Sequence, residues 1–373
     1  MLRNSERSSF KRCQQAWDWA WVEGLERRGR VAQPLWFGTG VHLSLANWYC
    51  GPGLKRGPHP AETWSEYAKD VIETVKIPGL NDEDGDQFVN ARDLGISMME
   101  NYVKTYGKDE HMYIIQPEQT FSIDVPWPKL PEGHLLLALA ERKKLLTKLV
   151  GTYDLAYRDL IAEQIWLEEH KTAAAISTAH LSLDDQGGTY FATASRALEK
   201  QGLIKKGERL RGIEYNFLRK GLPDPRPRNT DGAYTNKPGK KHYHAVLSEA
   251  GIKFKLSSKL DELKELSDDA GLVVVGDVSK RQPAPLFLRE RIHRTSRERA
   301  SQLRRIQQEA VQIELVRSGV TAPSKNPTRD CSRFCQFHDL CELDERGGDT
   351  KDFKARVFGK RDVYADHRKS TDE

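Results

Sequence analysis

Glu169 and Lys171 stand two residues apart in a stretch that reads as a β-strand, so both side chains point to one face. Asp154 lies on the preceding strand candidate and can stand beside them. Two carboxylates converging at a strand end suit Mg²⁺ or Mn²⁺, which prefer oxygen ligands, and the carbonyl of His170 could add a further oxygen. Such an ion polarises a phosphoryl oxygen and lowers the pKa of a bound water. Lys171 would orient that water or offset the developing charge. Glu-x-Lys alone is common on solvent faces; the apolar Trp166-Leu167 before it and Asp154 on the partner strand single this one out. His42 follows Gly38-Thr39-Gly40, read as a glycine turn that allows close approach to the sheet. A lone His in an apolar helix is more often a core residue, but neutral imidazole can ligate Mn²⁺, and Mg²⁺ less well. Gln186 and Tyr190 are one helical turn apart and share a face that could contact a substrate backbone.

A second constellation involves sulfur. Cys331-x₃-Cys335-x₅-Cys341 places three thiols in a short loop, and such a site needs a fourth ligand. Zn²⁺ could take His338, which is the reading from local spacing alone; an iron–sulfur cluster would take Cys13 from the other end of the chain. Cys50 falls outside the pattern and reads as a small buried side chain.

These residues need elements to hold them. Phe10, Cys13, Trp17 and Trp21 recur at helical spacing, as on one face of an N-terminal helix. Val41–Tyr49 is a second apolar helical stretch, and polar helical stretches run near 61–74 and 87–106. Met112–Val125 alternates like a strand; Leu149–Asp159 and Gln164–Thr172 read as paired strands around a turn at Ile161-Ala162-Glu163. Gly187–Gln201 is helical and Ile213–Arg219 is a strand candidate. Residues 221–242, with four prolines, three glycines and clustered Lys and Arg, read as a long basic loop. Its Lys237, Lys240 and Lys241 could meet phosphates, with Tyr234 and Tyr243 available for base stacking. A long helix is expected from Phe287 to Arg317, burying Leu303, Ile306, Ala310 and Ile313. Its Arg289, Arg291, Arg294 and Arg297 at the start, with Arg304 and Arg305, would be a solvated or phosphate-steering face. After Asp344 the chain is charged and poor in apolar residues, as in a loosely held tail or arm.

The 373 residues can bury a substantial core. Charged residues make up 30%, and no run approaches the ~18 apolar residues of a membrane span. With mean hydropathy of −0.67 a soluble protein is expected. The N-terminus lacks an apolar signal core, so a cytoplasmic protein with reduced or metal-bound cysteines is expected. The net charge of +5 is compatible with a polyanion partner without demanding one.

In the order His42, Asp154, Glu169-x-Lys171, Gln186-x₃-Tyr190, the chain resembles RecB-like nucleases of the PD-(D/E)XK superfamily over most of residues 5–345. It looks closest to CRISPR-associated RecB-like iron–sulfur exonucleases and their phage-encoded relatives. Tyr153 stands where the superfamily name expects Pro, a position RecB-like members often vary. The resemblance implies an α/β restriction-endonuclease-like core with helical N-terminal additions and a C-terminal cysteine segment. It implies one nuclease domain over residues 1–345 and a charged tail over 346–373. His42, Asp154, Glu169 and Lys171 would be catalytic, Gln186 and Tyr190 would line the DNA path, and Cys13, Cys331, Cys335 and Cys341 would hold a 4Fe–4S cluster. The implied activity is Mg²⁺- or Mn²⁺-dependent exonuclease action on DNA, single-stranded or with free ends, in recombination, end processing or phage DNA metabolism in a bacterial or phage-infected cell. Open beside it are a non-catalytic or weakly catalytic DNA-binding partner in a helicase–nuclease, recombinase or CRISPR adaptation assembly, and an endonuclease on the same fold.

Overall fold

Leu155-Ala156-Tyr157 and Ile165-Trp166-Leu167 are apolar at every position, the pattern of strands buried on both faces. In the computed structural model, which describes residues 1–28, 33–75 and 82–365, these runs lie in the antiparallel strands Thr147–Asp159 and Gln164–Ala173, with Tyr157 opposite Trp166. Alternation sends successive residues to opposite faces. Ala156, Ile165 and Leu167 enter one core with Phe191 and Leu198 of the helix Asp185–Lys200 and Ile306 and Ile313 of the helix Ser296–Arg317. Leu155, Tyr157 and Trp166 enter the other with Trp36, Trp64 and Tyr102, from the helices Gln33–Trp48, Pro60–Val75 and Asp82–Tyr106. Among the described residues the sheet has six strands, ordered Leu2–Arg3, Thr147–Asp159, Gln164–Ala173, Leu210–Arg219 and Phe287–His293, with Met112–Val125 also paired to Thr147–Asp159. The expected α/β class is what the structure shows. No described helix is long and apolar enough to cross a membrane.

The chain divides into two compact units, Met1–Leu218 with Phe287–Glu373, and Arg219–Leu286. The second opens with residues 221–239, which are irregular as expected, and turns helical at the end of the expected loop. Lys240 and Lys241 open a helix, Lys240–Glu249, which packs with the helix Leu260–Asp269 around Tyr243, Leu247 and Leu263. Tyr243, four residues before Leu247, is therefore core and not a free stacking surface, and Tyr234 lies between Arg226 and Arg228.

Other expectations are corrected. The long helix from Phe287 is a strand, Phe287–His293, then a helix from Ser296, because Thr295 and Glu298 form a capping box that starts the helix there. Leu303 is exposed, whereas Ile306, Ala310 and Ile313 are buried. Arg289 and Arg291 are not a solvated face. Arg289 pairs with Asp109 at 2.7 Å, and Arg291 pairs with Asp159 at 2.8 Å. The N-terminal helix breaks at Cys13, which has extended backbone between Asn4–Arg12 and Gln14–Trp17. Phe10 and Trp17 join the sheet core, while Cys13 packs elsewhere. Gly38 and Gly40 lie inside a helix, not in a turn. A Cβ on Gly40 would come within 2.6 Å of Trp64 and Tyr67, so glycine here permits close helix packing. Cys50 is exposed. The charged tail is packed over its described part: a helix Thr350–Val357 leads into Phe358–Lys360, which pairs antiparallel with Leu25–Arg27. Residues 366–373 of that tail lie outside the described residues.

Candidate metal centre and active site

Asp154 and Glu169 sit just beyond the last paired rungs of the central hairpin, where Leu155 faces Glu168. Asp154 is almost fully buried; its Oδ2 accepts the His170 N–H at 2.7 Å, and its Oδ1 lies 3.1 Å from His42 Nδ1. Glu169 is 2% exposed. Its Oε1 accepts from Lys171 Nζ at 2.6 Å, while its Oε2 is buried with no partner among the described residues. Lys171 also donates to Gln186 Oε1 at 2.8 Å, and Gln186 donates to Tyr190 Oη at 3.2 Å. The helix carrying Gln186 is fixed at its start by Asp184, which accepts from Gly187 N at 2.8 Å and from Tyr215 Oη at 2.9 Å. A Cβ on Gly187 would come within 2.1 Å of Tyr215 Oη, so glycine lets the helix reach the sheet. Tyr153 points into the core, stacks on Phe121 at 4.5 Å and bonds Thr193 at 2.8 Å. Its side chain leaves the active face to Asp154.

Thus the structure gathers His42, Asp154, Glu169, Lys171, Gln186 and Tyr190. A cleft of about 690 Å³ is lined by His42, Asp154, Gln186 and Tyr190 together with Thr39 and Glu118. Lys237, Lys240 and Lys241 belong to the second unit; Lys241 pairs with Asp277 at 2.6 Å.

Glu118 is the residue the sequence reading missed. The register of Met112–Val125 places Pro117 opposite Leu155 and Gln119 opposite Tyr153, which sets Glu118 facing Asp154. Its φ is 46°. Proline inside a strand marks an edge or bulge, and Pro117 was the available signal.

The electrostatics are those of a cation site. Burial pushes Glu169 up to about 7, and the Asp154 charge adds to the shift. Burial and Asp154 likewise raise Glu118 to about 7. Burial opposes the charged His42, yet Asp154, Glu169 and Glu118 together raise it to about 9. Burial opposes the charge on Lys171 too, and Glu169 overrules it, keeping the ammonium protonated. Carboxylates forced together out of water call for positive charge. The orphaned Glu169 Oε2 and the oxygen-rich donor set fit Mg²⁺ or Mn²⁺. Beneath the site His170 is buried and held neutral, its pKa lowered to about 3 by burial. Its ring lies 3.3 Å from Asn216 Nδ2, and its side chain offers the cleft nothing.

Away from the sheet core, Cys13, Cys335 and Cys341 pack against one apolar cluster with Trp19, Phe337, Leu340 and Phe358. Burial raises the Cys335 thiol, and negative charge on Cys331 and Cys13 would raise it further. The thiols from the two chain ends therefore lie within each other's field. His338 instead faces Glu342, with Nε2 3.5 Å from Oε1.

A mixed sheet whose central hairpin presents Asp and Glu-x-Lys beside a Gln-x₃-Tyr helix defines a class: metal-dependent phosphodiester-cleaving enzymes. The chain matches the PD-(D/E)XK nuclease superfamily over residues 5–342 and belongs to that superfamily. Membership implies a nuclease acting on DNA with Mg²⁺ or Mn²⁺. No curated protein shows significant sequence similarity to the chain.

Proposed function

We propose that this protein is a metal-dependent DNA exonuclease acting on single-stranded ends, in recombination or end processing. The observation that carries the reading is the chain of contacts from Glu169, with its orphaned Oε2, through Lys171 to Gln186 and Tyr190, which with Asp154 line the cleft. Asp154 and Glu169, with His42 and the His170 carbonyl, would hold Mg²⁺ or Mn²⁺. The ion supplies Lewis acidity and an acidified water. Lys171 stays protonated and sets its charge where negative charge grows on the phosphoryl oxygens. Gln186 holds Lys171 in place and, with Tyr190, presents a polar edge to the strand being cut. End-labelled linear and circular single-stranded DNA, digested in parallel with Mn²⁺, test the exonuclease reading. The linear strand should be degraded and the circle spared; equal loss of the circle would make the protein an endonuclease.

The cysteines are proposed to hold a 4Fe–4S cluster. Support comes from the four-thiol donor set and from Cys13 packing on the same apolar cluster as Cys335 and Cys341. Anaerobically purified protein should contain iron and acid-labile sulfide. Cys13→Ser should lose them as fully as Cys335→Ser, and both should melt earlier, because the cluster would tie the chain ends together. His338→Ala and Cys50→Ser should keep the iron. A colourless protein with one zinc, retained in Cys13→Ser and lost in His338→Ala, would replace the cluster with a Cys₃His site.

The second unit is proposed to bind the DNA backbone. It holds thirteen Lys and Arg against nine Asp and Glu, most of the chain's net +5. Changing Lys237, Lys240 and Lys241 together to Gln should flatten the salt dependence of single-strand binding. The slope of log K against log salt should fall by about 1.4 to 2, at about 0.7 per lost phosphate contact. The lower figure applies if Asp277 keeps Lys241 occupied. Cleavage at saturating DNA should hardly change. An unaltered slope would assign these lysines to solvent.

A further inference from the structure

The closed end of the central hairpin, at the rung that joins Asp159 to Gln164, borders a cavity of about 470 Å³. Five arginines line it, Arg158, Arg209, Arg211, Arg294 and Arg299, against the two carboxylates Glu163 and Glu208. None of its lining residues lines the cleft that holds Asp154. We propose that this cavity is a second anion site, which takes a phosphate group. The proposal goes beyond the nuclease reading and does not depend on it.

The acids leave the positive charge uncancelled. Both oxygens of Glu208 are committed, Oε1 to Arg158 at 2.8 Å and Oε2 to the Lys205 N–H at 2.7 Å. Glu163 is exposed in the turn. Arg209 and Arg211 flank the buried Leu210 where the strand Leu210–Arg219 begins, so alternation turns both side chains away from it. Neither has an ion pair or a side-chain hydrogen bond among the described residues. A concave wall of one charge sign concentrates its field on the space it encloses.

Arg294 is the fixed part of the wall. Its side chain is only 6% exposed and donates to the carbonyls of Ser182 and Leu181, yet its Nε is buried with no partner among the described residues. Arg299, packed over the Phe191 ring at 5.2 Å, also has a buried Nε without a partner among them. Two guanidinium donors withdrawn from water without acceptors call for an anion. The helix Ser296–Arg317 opens on the same cavity through Thr295 and Ser296. Thr295 Oγ1 takes the Glu298 N–H, and the N–H groups of Ser296 and Arg297 have no intrahelical acceptor, which favours negative charge there. Glu298 opposes this, but its Oε2 is held by the Thr295 N–H at 2.7 Å and its Oε1 lies 3.4 Å from Arg294. Guanidinium forks suit phosphate oxygens. The cavity volume falls within the roughly 300–1,000 Å³ of small-ligand pockets.

The test is binding to the full chain in chelator, so that the metal centre takes no part, followed by thermal melts at constant ionic strength with chloride as the reference anion. The probes are inorganic phosphate, a deoxynucleoside monophosphate and a single-stranded oligonucleotide. Phosphate should raise the wild-type melting temperature saturably. Arg209→Gln/Arg211→Gln, changed only at exposed positions, should melt normally without ligand and bind phosphate about tenfold or more weakly. Arg209→Lys/Arg211→Lys, which keeps the charge, should recover part of that affinity. Lys237→Gln/Lys240→Gln/Lys241→Gln should respond as wild type does. A monophosphate that matches or exceeds inorganic phosphate, with the same dependence on both arginines, makes a free phosphate ester the ligand. Dependence seen only with the oligonucleotide, as a salt slope reduced by about 0.7 to 1.4, makes it a strand phosphate. No saturable response to any probe above chloride, or equal responses in wild type and Arg209→Gln/Arg211→Gln, would overturn the proposal.

Discussion

Glu169→Ala should lower DNA cleavage by about 10³-fold or more while the protein stays folded, since a Lewis-acid centre is worth several kcal/mol and each ~1.4 kcal/mol is tenfold. Folding should survive because the lost carboxylate is one that burial has already pushed up to about 7. Lys171→Ala makes a different demand. It should lose about 10² to 10³ in turnover, the scale of a lost charge-stabilising donor, and keep Mn²⁺ binding, because its ammonium is a donor to Glu169 and not a ligand. Single-turnover cleavage at saturating Mn²⁺ separates the two. Normal turnover in Lys171→Ala once metal is saturating would show that its work is to shape the metal site.

The largest stability effect should come from Arg7→Met. Arg7 is completely buried in the N-terminal helix. It donates to Glu309 at 2.7 Å, to Asn4 and Thr189 at 2.8 Å, and to Asp185 at 3.2 Å. Removing one partner of a buried pair leaves the others uncompensated, at a cost of about 3–5 kcal/mol. Lys11, partly exposed, would remain to Asp185 and Glu309, with Gln302 donating to Asp185 at 2.6 Å and Arg305 3.8 Å from it. Arg7→Met/Glu309→Gln should recover part of the loss, because the two changes share one interaction. The effect also has a pH signature. Burial opposes ionisation of Asp185, but Arg7, Lys11 and Gln302 overrule it and hold its pKa at about 2. The folded pKa lies below the ordinary 3.8, so the contribution is full above that value and is lost as pH falls toward 2. The stability gap between wild type and Arg7→Met should be constant from neutral pH down to about 5 and narrow below about 4. A gap that widens in acid would mean that the network does not act through Asp185.

The hairpin was legible because its chemistry and its burial use the same alternation. Leu155 and Tyr157 mark one face, and Glu169 and Lys171 follow the other. Gln186 and Tyr190 were legible for the helical counterpart of that reason. Arg289 and Arg291 were not. Their charge read as solvated surface, but Asp109, Asp159 and Glu214 reach them from distant parts of the chain. The capping box at Thr295 and Glu298 did carry the helix start, and it outweighs the helical pattern read before it. Gly40 imitates a turn in sequence; only the rings of Trp64 and Tyr67 show why a helix needs it. The second unit hid behind its own breakers. Its four prolines between 221 and 242 obscured the short apolar spacing of Tyr243 and Leu247 that builds its core. Glu118 lacked any local partner, and its place opposite Asp154 exists only once Met112–Val125 pairs with Thr147–Asp159.

The most direct test is nucleotide release from end-labelled single-stranded DNA across a Mn²⁺ titration, run in parallel on wild type and Asp154→Ala. Asp154 lines the cleft between His42 and the His170 backbone. Wild type should release nucleotides in proportion to bound Mn²⁺, stop when the metal is chelated and resume when it is restored. Asp154→Ala should release essentially none at any Mn²⁺ concentration while melting cooperatively. Release that persists in chelator, or that survives in Asp154→Ala, would contradict a metal-dependent nuclease centred on this carboxylate.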